Sequence, residues 1–192
     1  MLLYQKRGGA RDIGNVSVNA AEAWCDAGDT ARCEALLATA SETLSGVVPA
    51  KHPVMGRIEL IRGQLELNKN SPQLALEHLE RALAILTATG RPEPRRMQTL
   101  VLLAQAELRL SKMDAALARA NEAVAVARDQ HKDFPSSERV GSALLILGTV
   151  QAALRNKADA RVALNEALRQ LESAVGAETP KALEARRMLA EL

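Results

Sequence analysis

Aromatic side chains are almost absent from these 192 residues: one Trp, one Tyr and one Phe make up 2% of the chain. Strands favour aromatic and β-branched residues, and no alternating apolar pattern persists, so a sheet protein is excluded. Base-stacking recognition of nucleic acid is disfavoured with it. Charge of one sign is also missing, since 25 basic residues face 23 acidic ones for a net charge of +2. That balance leaves no electrostatic footprint for nucleic acid or an anionic membrane. No apolar run approaches the ~18 residues of a membrane span. The start, MLLYQKRGG, lacks the apolar segment and cleavage site of a signal peptide. Cysteine is scarce: Cys25 and Cys33 make no disulfide framework, and a reducing, cytoplasmic setting is expected. The pair flanks a short turn and is expected to be a half-buried thiol and a small packing residue, with a bridge as the lesser alternative.

Catalytic motifs are absent as well. There is no phosphate loop, no G-x-S-x-G, no H-E-x-x-H and no C-x-x-C. RGGARD at 7–12 follows no strand and is too short to cradle phosphate. His52, His78 and His131 are scattered and lack metal-ligand spacing. An enzyme, a metal site and a cofactor are therefore not expected.

What the sequence does have is a repeat. Gly63 is followed by Ala75, Leu79 and Ala82 at offsets of 12, 16 and 19 residues. Gly148 is followed at the same offsets by Ala160, Leu164 and Ala167. Ala104 leads Ala116, Ala120 and Ala123, and Ala21 leads Cys33, Leu37 and Ala40. Ala190 leads a truncated fifth copy. The five lead residues are spaced by 42, 41, 44 and 42. Pro53, Pro94 and Pro180 each precede a lead residue by ten. Pro135 precedes Gly148 by thirteen, which suggests that this helix starts almost a turn early.

Each copy reads as two helices. The first begins at the proline, where a missing N–H costs nothing, and ends in a polar turn at 27–30, 68–72, 110–114 or 155–159. Asp29, Ser71 and Asn156 are expected N-caps of the second helices. Those helices should stop near Ala88, Gln130 and Val175, before TGRPEP, HKDFPSS and GAETP. Small residues at the lead, 12 and 19 offsets let two antiparallel backbones approach closely. One pair cannot bury its own apolar face, and stacked neighbours bury it.

These residues resemble the tetratricopeptide repeat family, whose small–Ala–large–Ala frame is matched in full by Gly63/Ala75/Leu79/Ala82 and Gly148/Ala160/Leu164/Ala167. The period exceeds the family's usual ~34 residues, as in the long-helix repeats of kinesin light chains. The ending GAETPKALEARRMLAEL is similar to arrays attached to bacterial Ser/Thr kinases and regulators. The resemblance implies an all-α, right-handed superhelical solenoid of four antiparallel helix pairs and a C-terminal helix. The repeats run over about 12–50, 51–92, 93–133 and 134–178, with a capping helix at 180–192. Residues 1–11 are expected to be a flexible extension or the remnant of a preceding element.

The resemblance also implies a protein- or peptide-binding scaffold, as a module of a larger bacterial signalling protein, with a groove lined by the first helices. One register position there is apolar: Val18, Leu60, Val101 and Leu145. The others are polar: Glu22, Gln64, Gln105 and Thr149; Asp26, Asn68 and Arg109; Asn15, Arg57 and Gln98. Amides that both donate and accept suit an extended peptide's backbone, though apolar residues at helical spacing are as readily core. The Lys/Asn clamp of chaperone adaptors is absent, which disfavours capture of an acidic C-terminus. Arg95, Arg96 and Arg109 form a slightly basic patch, while Glu77, Glu80 and Arg81 belong to a solvated face. The alternative role is a homodimer through the terminal helix, whose Leu183, Met188, Leu189 and Leu192 have no second helix to cover them. Partners are therefore expected to be protein, with no nucleic acid and no membrane insertion.

Overall fold

The computed structural model describes residues 2–88 and 95–192, with backbone alone for residues 2–8. Thr89 to Pro94, which include the TGRPEP loop, Pro94 and the boundary expected near residue 92, lie outside the described residues. All regular structure among them is helical: α1 (Leu2–Asp26), α2 (Thr30–Leu44), α3 (Pro53–Asn68), α4 (Pro72–Thr87), α5 (Arg95–Arg109), α6 (Met113–Gln130), α7 (Glu138–Ala153), α8 (Lys157–Val175) and α9 (Pro180–Glu191). These are the expected helix pairs and final helix of an all-α repeat solenoid. They form two compact units, divided after Arg95.

In the first unit α1 pairs with α2 and α3 with α4, and α3 also packs on α1 and α2. Its core draws Val18, Ala21 and Cys25 from α1, Leu37, Ala40 and Leu44 from α2, and Ile58, Ile61 and Leu65 from α3. In the second unit Ala104, Ala116, Ala120, Ile146 and Val150 form a shared core of α5, α6 and α7. Helix α7 pairs with α8, and α9 packs on α8 and touches α7.

The lead glycines stand where the register puts them. A Cβ on Gly63 would lie 2.4 Å from Leu79 Cγ and 3.3 Å from the Ala75 carbonyl oxygen. One on Gly148 would lie 2.6 Å from Leu164 Cγ. A second layer lies seven residues earlier: Gly14 faces Leu44, Gly56 faces Leu86 and Gly141 faces Leu171, each under or near 3 Å from an added Cβ. The third repeat trades the sizes, with Met97 in the glycine position and Ala127 in the leucine position, both buried.

The four turns inside the repeats are built alike. Gly28, Asn70, Ser111 and Arg155, each seven residues after a lead residue, have φ of 80°, 57°, 57° and 62°. The next N–H in each case reaches back five residues, as Asp29 to Trp24, Ser71 to Glu66, Lys112 to Glu107 and Asn156 to Gln151 at 2.8–2.9 Å. This left-handed closure satisfies carbonyls that the helix end would otherwise orphan.

Caps follow the expectations in part. Asp29 Oδ1 accepts from the Arg32 N–H at 3.0 Å, whereas Ser71 and Asn156 occupy the cap position without a side-chain bond to the helix end. Pro53, Pro72 and Pro180 open their helices. His52 caps α3, its Nδ1 accepting from Val54 N–H at 3.2 Å, a role the sequence reading did not give it.

Residues 2–11, expected as a flexible extension or the remnant of a preceding element, are part of α1, which runs from Leu2 to Asp26. Two expectations are corrected. Helix α7 does not begin a turn early: it starts at Glu138, ten residues before Gly148, and Ser137 caps it. Cys25 and Cys33 are joined in a disulfide across the first turn, their Cα atoms 5.2 Å apart. Positions four and twelve residues past the lead touch in the hairpin, so two cysteines there stand at bridging distance. Both are buried. A structural disulfide sits poorly with a reducing compartment, so the cytoplasmic expectation loses its support from cysteine usage. Among the described residues no helix is long and apolar enough to cross a membrane.

Candidate functional site

On the first-helix face of the first unit, most of the expected polar groove residues are already bonded, to one another or to nearby backbone. Val18 and Leu60 are fully buried in the core and present no side-chain surface, which corrects their placement in a peptide groove. The polar positions form a ladder from α3 to α1. Arg57 Nε donates to Glu22 Oε2 at 3.2 Å, its Nη2 donates to the same oxygen, and its Nη1 donates to Asn19 at 2.7 Å. Gln64 Nε2 donates to Asp26 Oδ1 at 2.7 Å, and Asn68 Nδ2 donates to the Cys25 carbonyl at 3.0 Å. Arg95 also pairs with Glu22. Asn15, Pro53, Val54, Arg57 and Arg95 line a small hollow of about 260 Å³ there. Burial lowers the Arg57 pKa from its ordinary value.

The second unit shows this only in part. Leu145 is buried, again against the groove expectation. Val101 is half-buried against the α5–α6–α7 core. Thr149 Oγ1 donates to the Leu145 carbonyl at 2.8 Å and lies 3.4 Å from Met188 Sδ. Gln98 and Gln105 are half-buried on α5, and Arg109 is exposed at its end. Helices lying side by side bury polar side chains at their seam and satisfy most of them there, although Gln64 Oε1 is buried without a partner among the described residues.

The larger opening lies elsewhere. A groove of about 810 Å³ runs between α6 and α8 with α7 beneath it. Val124, Leu144, Leu147 and Ala163 give it an apolar floor, and Val162 projects there 72% exposed. Asn121 and Asn165 stand on its two walls, each seventeen residues after a lead residue, and Gln151 rises from α7. No side-chain hydrogen bond of Asn121 or Asn165 is formed among the described residues, in contrast to Gln64 and Asn68. Charges of both signs rim it: Arg128, Arg169, Asp159 and Glu166. Arg169 donates to both Glu166 oxygens at 2.6 and 2.9 Å, and that bonding holds the Glu166 carboxyl below the usual carboxylate value despite partial burial. Sequence reasoning missed this groove because it followed only the first-helix positions. The signal was there, in two asparagines at one offset on second helices.

On the terminal helix, Ala182 and Ala185 are the fully buried residues. Met188, Leu189 and Leu192 are half-buried, and only Leu183, 45% exposed, offers a large apolar side chain. Ala190 is exposed, since no second helix faces it.

No family profile matches the chain, and no curated protein is similar to it. Among solved structures it is similar to two crystal structures of a Podosopora anserina kinesin-light-chain protein with nearly identical TPR-like repeats, one of them a point variant. The TM-scores are 0.70 and 0.69 at 20% identity, over 92% of this chain and 83% of that one. The likeness establishes the tetratricopeptide-like repeat fold.

Proposed function

We propose that this chain, with its tetratricopeptide-like fold, is a non-catalytic protein-interaction module that takes an extended peptide segment in the groove between α6 and α8. The observation that carries the reading is the pair of unengaged amides, Asn121 and Asn165, on the two walls above an apolar floor. An extended segment leaves its backbone N–H and C=O groups unpaired, and a carboxamide can serve both at once. The floor takes an apolar side chain against Val162 and Leu147. With both charge signs on the rim, the reading favours no strongly charged sequence. A peptide array probed with the purified chain tests it. Selected peptides should lose about tenfold in affinity, near 1.4 kcal/mol, on Asn121→Ala with Asn165→Ala, and should not respond to Gln64→Ala. Peptides that bind equally well to the double variant and to Val162→Asp overturn the groove.

A regulatory role within a larger bacterial signalling protein is compatible with this reading.

A further inference from the structure

Every complete seam between repeats within a unit buries the same face of the later repeat's first helix. On α3 that face holds Ile58 and Leu65, 0% and 4% exposed, in one core with α2. On α7 it holds Ala143 and Val150, both fully buried, Val150 in one core with α6. On α9 it holds Ala185, fully buried where α9 packs on α8. The residues in that register on α1 are Val16 and Ala23. Val16 is 65% exposed, and Ile13 beside it is 58% exposed. Ile13, Val16, Ala20 and Ala23, at steps of three, four and three, form one helix stripe without a charge. Its chemistry is that of an inter-repeat seam, and nothing among the described residues covers Ile13 or Val16.

The order of sizes along the stripe says what covers it. The two large residues lie at its N-terminal end and the two small ones at its C-terminal end. Turned antiparallel about a point level with Val18, the stripe matches itself: Ile13 meets Ala23 and Val16 meets Ala20. Large against small is how this molecule packs its own pairs, as Leu79 on Gly63 shows. Asp12 falls level with Trp24 of the other copy, on which Arg32 stacks 4.3 Å from the ring centroid, so each end brings an acidic and a basic group to the same level. A two-fold contact is self-complementary by construction, and a stripe with this gradient is self-complementary by sequence.

We propose that α1 is a dimerisation helix, pairing antiparallel with α1 of a second copy of this chain through Ile13, Val16, Ala20 and Ala23. The contact is distinct from the terminal helix, whose apolar residues are largely covered already. Sedimentation equilibrium of the full chain across the micromolar range should give twice the chain mass. Val16→Glu should halve that mass and leave the helical circular dichroism and the melting temperature in place, because Val16 contributes little to the fold. Leu183→Glu should leave the dimer intact. For the register, chains carrying Val16→Cys mixed with chains carrying Ala20→Cys should cross-link on mild oxidation far more than Val16→Cys mixed with Ile13→Cys. A monomer throughout overturns the proposal. A dimer that survives Val16→Glu, or one lost on Leu183→Glu, overturns it too.

Discussion

A single missing Cβ decides how close two helices lie. Gly63 leaves room for Leu79 and for the backbone at Ala75. Alanine there gains up to about 1 kcal/mol of helix propensity, but its Cβ would sit 2.4 Å from a branching carbon, not from a mobile chain end. Overpacking of this kind costs about 1–3 kcal/mol, so steric cost should win. Gly63→Ala is expected to lower the melting temperature, and a rise would show that the α3–α4 pair yields easily. The turn residues argue the other way. Ser111 and Arg155 hold positive φ without being glycine, a conformation that costs a side-chain-bearing residue about 1–2 kcal/mol. Ser111→Gly should raise stability measurably in urea melts, partly offset by the greater freedom of glycine in the unfolded chain. Lead residues were legible because small side chains recur at fixed offsets. The left-handed turn residues were not, because Gly28, Asn70, Ser111 and Arg155 share a backbone angle and no chemistry.

Between helices, covalent and ionic links supplement the small-residue seams. The Cys25–Cys33 bridge closes a loop of eight residues between α1 and α2. A loop that short restricts the unfolded chain by about 2–3 kcal/mol, so reduction should lower the thermal midpoint without changing helix content. An unchanged midpoint would mean that the bond adds nothing beyond the burial that the equivalent positions of the second repeat, Leu67 and Ala75, have without it. Across α3 and α4, Glu59 accepts from His78 Nδ1 at 2.8 Å, Arg81 Nε at 3.1 Å and Arg62 Nη1 at 2.6 Å. Burial pushes its carboxyl up, but the His78 and Arg62 bonds and charges outweigh that and leave its pKa below the ordinary 4.5. A carboxyl depressed in the folded state stabilises fully above its unfolded pKa and loses that contribution as pH falls through the folded value. Melts from pH 7 to pH 3 should therefore show an acid loss that Glu59→Gln reduces. An identical pH profile in the variant would assign the acid loss to other carboxylates. Sequence spacing set Glu59 and His78 on separate helices. Their meeting depends on how far α3 and α4 are rotated against each other, which spacing alone does not fix.

At the scale of the molecule, the apolar stripe at Val18, Leu60 and Leu145 looked equally suited to a groove or a core, because periodicity marks a face without saying what lies against it. Neighbouring helices settled it, and they also engaged the amide nitrogens of Gln64 and Asn68. The groove at Asn121 and Asn165 emerges only when two second helices stand apart over a first. Stability in such an array is a sum of helix pairs and neighbour seams, and the second unit holds pairs and seams of its own: α6 on α7, α7 on α8 and α8 on α9. Residues 96–192 expressed alone should therefore be helical and melt cooperatively. Ending that fragment at Thr179 removes Ala182 and Ala185 from the α8 seam. It also removes the bonds of Arg186 to Glu172 at 2.5 and 3.1 Å and the ion pair of Lys181 with Glu138 at 2.9 Å. The shortened fragment should keep its helices and melt at a distinctly lower temperature. An unchanged melt would mean that α9 is an appendage rather than the cap of the array.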